Sequence, residues 1–109
     1  MTENMISTED EFRPDVSMAR NDAQHCYELQ VGGKIAVQSF FLDKPGHVDF
    51  THVETAEGFQ GQGLDKVLVH FALDDVVAAG KRIIPRDPFF AEYLRLHEGY
   101  EQHVDWPEG

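Results

Sequence analysis

At 109 residues with 41% hydrophobic content, the chain suits one small domain with a single core and leaves no room for a second. Its formal net charge of −11, with no basic block, argues against a nucleic-acid backbone or an anionic membrane surface as partner and favours cationic ones, amines among them. A lone cysteine, Cys26, excludes an intrachain disulfide and a thiolate metal cluster; with no basic-then-apolar leader and no apolar run near the ~18 residues of a bilayer span, a cytoplasmic protein is expected.

Residues 1–23 hold six acids against Arg13 and Arg20, show no sustained periodicity and include Pro14, which predicts a flexible acidic arm. The folded domain is expected over 24–103, with 104–109 as a tail. Tyr27, Leu29 and Val31 alternate with Glu28 and Gln30, the period of a half-buried strand, and Gly32-Gly33 reads as a two-residue hairpin turn. A second strand follows from Lys34 to Leu42. Asp43-Lys44-Pro45-Gly46 has turn chemistry, and a third strand runs from His47 to Glu54 with Val48, Phe50 and His52 on one face if the pleat is regular.

From Leu64 the apolar Val67, Leu68, Phe71, Ala72 and Val76 recur at helical spacing, with Lys66, His70 and Asp74 as a polar stripe and Gly80 as the stop. Lys81 to Arg86, apolar at Ile83 and Ile84, predicts a buried strand parallel to the third, because a helix carries the chain across between them. Pro88 fits the first turn of a second helix carrying Phe89, Phe90, Tyr93, Leu94 and His97, with Gly99 as its stop. The fold class is therefore α/β in the α+β sense: a three-stranded antiparallel meander, a crossover helix, a parallel fourth strand and a second helix.

Between the third strand and the first helix stands Gln60-Gly61-Gln62-Gly63-Leu64-Asp65. Glycines reach backbone conformations closed to other residues, and a first helical turn offers unpaired N–H groups and the positive end of a dipole. Together they make a cradle for a phosphate, although two glycines before a helix also make an ordinary tight turn.

Gln60-x-x-Gly63 resembles the pyrophosphate loop of Gcn5-related N-acetyltransferases, which runs Gln/Arg-x-x-Gly-x-Gly/Ala; Asp65 stands where that pattern has glycine or alanine. The order of elements resembles a stripped-down member of that superfamily. Thr51-His52 and Pro88-Phe89-Phe90-Ala91-Glu92-Tyr93, with His97 and Tyr100 beyond, resemble the small Yjdj-type N-acetyltransferases. The resemblance implies an enzyme using acetyl-CoA as co-substrate to acetylate a small-molecule or protein amine. Its pantetheine would follow the backbone of Val53, Glu54 and Thr55, and its pyrophosphate would meet Gln60, Gly61, Gln62, Gly63, Leu64 and Asp65.

Acetyl transfer to an amine needs a base, donors for a developing oxyanion and an acid for the departing thiolate. His52 is the candidate base; the alternative is a half-buried histidine bonded to a backbone carbonyl. Asp87 occupies the position of the Yjdj-type cysteine, which excludes an acetyl-cysteine route there; it is either a carboxylate base or the N-cap before Pro88. Tyr93 is either the acid or a core aromatic. His97 and His103 form no recognised metal spacing, so no metal is expected. A carboxylate at Asp65 about 5 Å from a phosphate charge would cost roughly 3 kcal/mol at an effective dielectric of 20, which Lys66, Arg86 or Arg95 could offset on reaching the groove. The other reading of the chain is a catalytically inactive module of the same fold that binds CoA or a partner.

Overall fold

The structure, a computed structural model, describes residues 15–107. Its elements are β1 (Val16–Asn21), β2 (Cys26–Val31), β3 (Lys34–Lys44), β4 (His47–Thr55), α1 (Leu64–Ala78), β5 (Arg82–Pro85), α2 (Pro88–Leu96) and a short 3-10 turn at Glu101–His103. One five-stranded sheet has the order β1-β2-β3-β4-β5, antiparallel until β5, which lies parallel to β4. The expected α+β class, hairpin at Gly32-Gly33, crossover helix and parallel final strand are all present.

Residues 16–21, assigned to a flexible arm, form edge strand β1 with a full register on β2. Val16 and Met18 pack against the core while Ser17 and Ala19 alternate outward; six residues with two apolar contacts make too weak a period to stand out. The part of the arm at 1–14 lies outside the described residues. At the other end Val104, assigned to the tail, is buried and bridges Ile83 beside β5, and the Asp105 N–H donates to the Ile83 carbonyl at 2.8 Å.

Both helices cover the same face of the sheet. Leu68, Val69 and Leu73 of α1 and Phe90 of α2 share one core with Tyr27, Leu29 and Phe50 from the strands. The Phe50 and Phe90 rings stack at 4.2 Å. Cys26 is fully buried, and burial pushes its thiol up, which makes it an inert packing residue rather than a nucleophile.

The expected facing of His52 is overturned by a bulge. The β3–β4 register shifts between Phe40 and Phe41: Phe50 pairs with Phe41, whereas His52 pairs with Phe40. The extra residue, Thr51, moves His52 to the face away from the helices, where its ring stacks on Phe40 at 6.1 Å. The Thr51 hydroxyl caps the irregularity by donating to the Phe40 carbonyl at 3.3 Å.

Candidate active site

The ladder between β4 and β5 stops at the Phe50–Pro85 pair. Pro85 has no N–H to extend it, and the N–H groups of Arg86 and Asp87 both turn back to the Phe50 carbonyl at 3.0 Å. Asp87 then starts α2, accepting from the N–H of Phe89 at 2.8 Å and of Phe90 at 3.3 Å. From His52 to Thr55, β4 is therefore paired on the β3 side and, among the described residues, has no strand on the other.

Ladder alternation decides which groups face that gap. Ala56 donates to Ala36 at 2.7 Å, so the next pair, Val37 with Thr55, is a non-bonded one, and Ser39 with Val53 is the next such pair. The N–H and C=O groups of Val53 and Thr55 thus point into the gap, while the backbone of Glu54 is spent on Gln38.

The gap leads to the glycine loop. Thr55, Phe59, Gln60, Gly61, Gly63, Leu64, Asp65 and Lys66 line a cleft of about 480 Å³. Gly63, the N-cap of α1, has φ 75°, a left-handed conformation that glycine takes readily, and as a glycine it has no side chain to cap the helix. The first-turn amides consequently look for partners outside the helix. Asp65 answers part of that need itself: its Oδ1 accepts from the Lys66 N–H at 2.8 Å. Of the three cations considered from the sequence, Lys66 lines the cleft. Arg86 is bound to Asp49 at 2.8 Å, and Arg95 lies over the Trp106 ring at 5.4 Å.

His52 and Glu54 stand side by side on the outer face, with Nε2 3.0 Å from Oε2 and both side chains more than half exposed. Tyr93 lies on the helix side, 8% exposed, its ring stacked on His97 at 3.8 Å. Burial, and then the charge of Asp74, push the Tyr93 hydroxyl up. Tyr93 lines a second cleft of about 600 Å³ with Val67, His70 and His97, and Lys66 belongs to both clefts. The loop and the end of β4 are brought together in the first cleft; Tyr93 lines the second, which shares only Lys66 with it, and Asp87 is a helix cap.

Two groups escaped the sequence reading. His70 and Asp74 were visible as a stripe, but their partners Tyr93 and Tyr100 come from a distant segment. Asp49 is 1% exposed beneath Arg86, Lys44 and His47. It sits in an alternating strand at a position indistinguishable from a solvent-facing one.

No curated protein matches the chain. A GCN5-like protein of Staphylococcus aureus, solved by NMR, superposes with a TM-score of 0.66 at 12% identity, covering 87% of this chain and 93% of that one. The ribosomal-protein-S18-alanine N-acetyltransferase of Escherichia coli superposes with a TM-score of 0.51 at 13% identity over 76% of this chain and 49% of its own length. At these identities the likeness shows the fold. Residues 26–104, well over half of the chain, match the family described as GCN5-related N-acetyl-transferase, and the chain belongs to that family.

Proposed function

We propose that the protein transfers the acetyl group of acetyl-CoA to an amine of a small molecule or a protein, in the manner of the Yjdj-type members of its family. The observation that carries this reading is the free edge of β4 opening onto the glycine-loop cleft, since it offers backbone groups and helix-start amides in one line. Bound there, acetyl-CoA supplies an acetyl group activated as a thioester. The N–H groups of the loop and of Leu64 would hold its diphosphate, with Lys66 as counter-charge, and Val53 and Thr55 would align its amide-bearing arm by strand-like bonds. A cytoplasmic setting suits a chain with one buried thiol and no helix, among the described residues, long and apolar enough to cross a membrane.

His52 would take the proton of the attacking amine. Glu54, 3.0 Å from its Nε2, fixes the ring and accepts its N–H, leaving Nδ1 as the basic nitrogen. The Val53 N–H faces the gap and is the donor available to a carbonyl oxygen there. Tyr93, in the neighbouring cleft that shares Lys66, would protonate the departing sulfur. Asp87 is left out, because its carboxylate is committed to two amides of α2.

A second reading, a CoA-binding or partner-binding module without turnover, is favoured by Asp65, which already holds the Lys66 amide. Titrating labelled protein with acetyl-CoA, then measuring amine-dependent CoA release, separates the two. We expect the Gly61 and Gly63 amides to shift and His52→Ala to reduce release at least about a hundredfold. Shifts with no release support the module; no shifts at millimolar ligand remove the cofactor from both.

A further inference from the structure

We propose that His70, held by Asp74, is a proton relay that recharges Tyr93 during turnover. The inference rests on the reading of Tyr93 as the acid for the departing sulfur, and gives a function to a cluster that this reading does not use.

Spacing of i, i+4 on α1 brings His70 Nε2 within 3.1 Å of Asp74 Oδ2. Tyr93 Oη lies 3.3 Å from His70 Nδ1. Tyr100 closes the cluster: its hydroxyl donates to Asp74 Oδ1 at 2.7 Å and its oxygen stands 3.1 Å from Nδ1. With its proton on Asp74, Tyr100 can only accept from the ring. Nδ1 thus has an acceptor in Tyr100 and Nε2 one in Asp74, so a ring with a proton on each nitrogen satisfies both, while the Tyr93 hydroxyl can donate to Nδ1 or accept from it.

Tyr93 is fixed independently. His97 stacks under its ring, and His97 Nδ1 donates to the Tyr93 backbone carbonyl at 2.8 Å. A buried phenol that has given up its proton is costly unless the anion is neutralised or refilled at once. His70 is the titratable group within hydrogen-bonding reach of that oxygen among the described residues.

In the step, the Tyr93 Oη–H bond breaks and its proton forms the S–H bond of CoA. The Nδ1–H bond of the His70 imidazolium breaks next, and that proton forms a new Oη–H bond on Tyr93. Water then returns a proton to Nδ1 of a ring whose side chain is 58% exposed, and Asp74 keeps its hold on the Nε2 proton throughout. The amine's own proton leaves separately through His52, so protons balance and no electrons change hands. The titratable groups around His70 are Lys66, Asp74 and Asp75 from α1, Tyr93, His97 and Glu98 from α2 and its end, and Tyr100 and His103 beyond.

The test uses the whole chain, labelled at tyrosine Cζ and in the histidine rings, titrated by NMR from about pH 5 to about pH 8 without ligand. The Tyr93 signal, identified by its loss in Tyr93→Phe, is expected to follow the His70 titration. That response should vanish in His70→Gln, which keeps a hydrogen-bonding side chain that carries no charge. With acetyl-CoA and a lysine-containing peptide as probe amine, His70→Gln should lower kcat at least about tenfold with little change in KM for acetyl-CoA, and should add nothing to Tyr93→Phe. Imidazole should restore part of the rate of His70→Ala. A Tyr93 signal indifferent to His70 overturns the relay, as does an unchanged kcat in His70→Gln where Tyr93→Phe is slow. An unchanged kcat in Tyr93→Phe itself removes the acid assigned to Tyr93, and the relay with it.

Discussion

Asp65 and Asp87 are the residues whose side chains separate this protein from the pattern it resembles, and each has a local partner. Asp65 accepts the Lys66 amide in the first turn of α1, where its charge also suits the helix dipole. A bound diphosphate must compete with that carboxylate for the same amides. Asp65→Ala is therefore expected to tighten acetyl-CoA binding by more than about tenfold, or ~1.4 kcal/mol, measured by calorimetry. Unchanged affinity would mean the carboxylate does not oppose the ligand. Asp87 is half of a cap that Pro88 completes. Asp87→Ala should cost about 1 kcal/mol in urea unfolding, while Asp87→Asn, which still accepts, should lose only a few tenths and keep its turnover. Abolished turnover in a stable Asp87→Asn variant would return that carboxylate to the mechanism.

At the scale of elements, two local irregularities shape the site. The bulge at Thr51 turns His52 outward, and Pro85 ends the ladder so that β4 runs on with a free edge. Strand existence was legible in alternation, as at Tyr27, Leu29 and Val31. The bulge was not, because a period of two reads the same until a residue is skipped, and nothing in Phe50-Thr51-His52 marks the skip. β1 was missed for a related reason: an edge strand with one half-buried face carries few apolar residues. It is nonetheless tied in, since Arg20 lies over the Phe41 ring at 4.6 Å and reaches Asp43 at 3.0 Å. Removing residues up to Asn21 should destabilise the domain by roughly 2–4 kcal/mol relative to removing residues up to Pro14, through lost burial of Val16 and Met18 and lost pairing. Equal urea midpoints for the two truncations would show that β1 is dispensable.

For the whole molecule, an acidic chain has placed one carboxylate, Asp49, inside a ring of cations. Burial alone would push Asp49 up, but the Arg86 hydrogen bond and the charges of Lys44, Arg86 and His47 outweigh it and hold the carboxyl below the usual range. A carboxyl depressed in the folded state stabilises the fold above its ordinary titration range, near pH 4, and loses that contribution as pH falls further. Arg86→Met removes the nearest partner and leaves a buried charge. It should cost about 1–3 kcal/mol at neutral pH and move the acid-unfolding midpoint to higher pH; an unmoved midpoint would mean that Lys44 and His47 suffice.

Composition, alternation and helical spacing determined the α+β class, the crossover and the glycine loop, because each depends on residues close together in the chain. The tertiary structure alone decided which face His52 occupies, which backbone groups of β4 stay unpaired, and that His70 and Asp74 meet Tyr93 and Tyr100. These depend on a skipped residue, on where one ladder stops, and on contacts across more than twenty residues, none of which leaves a periodic trace in the sequence.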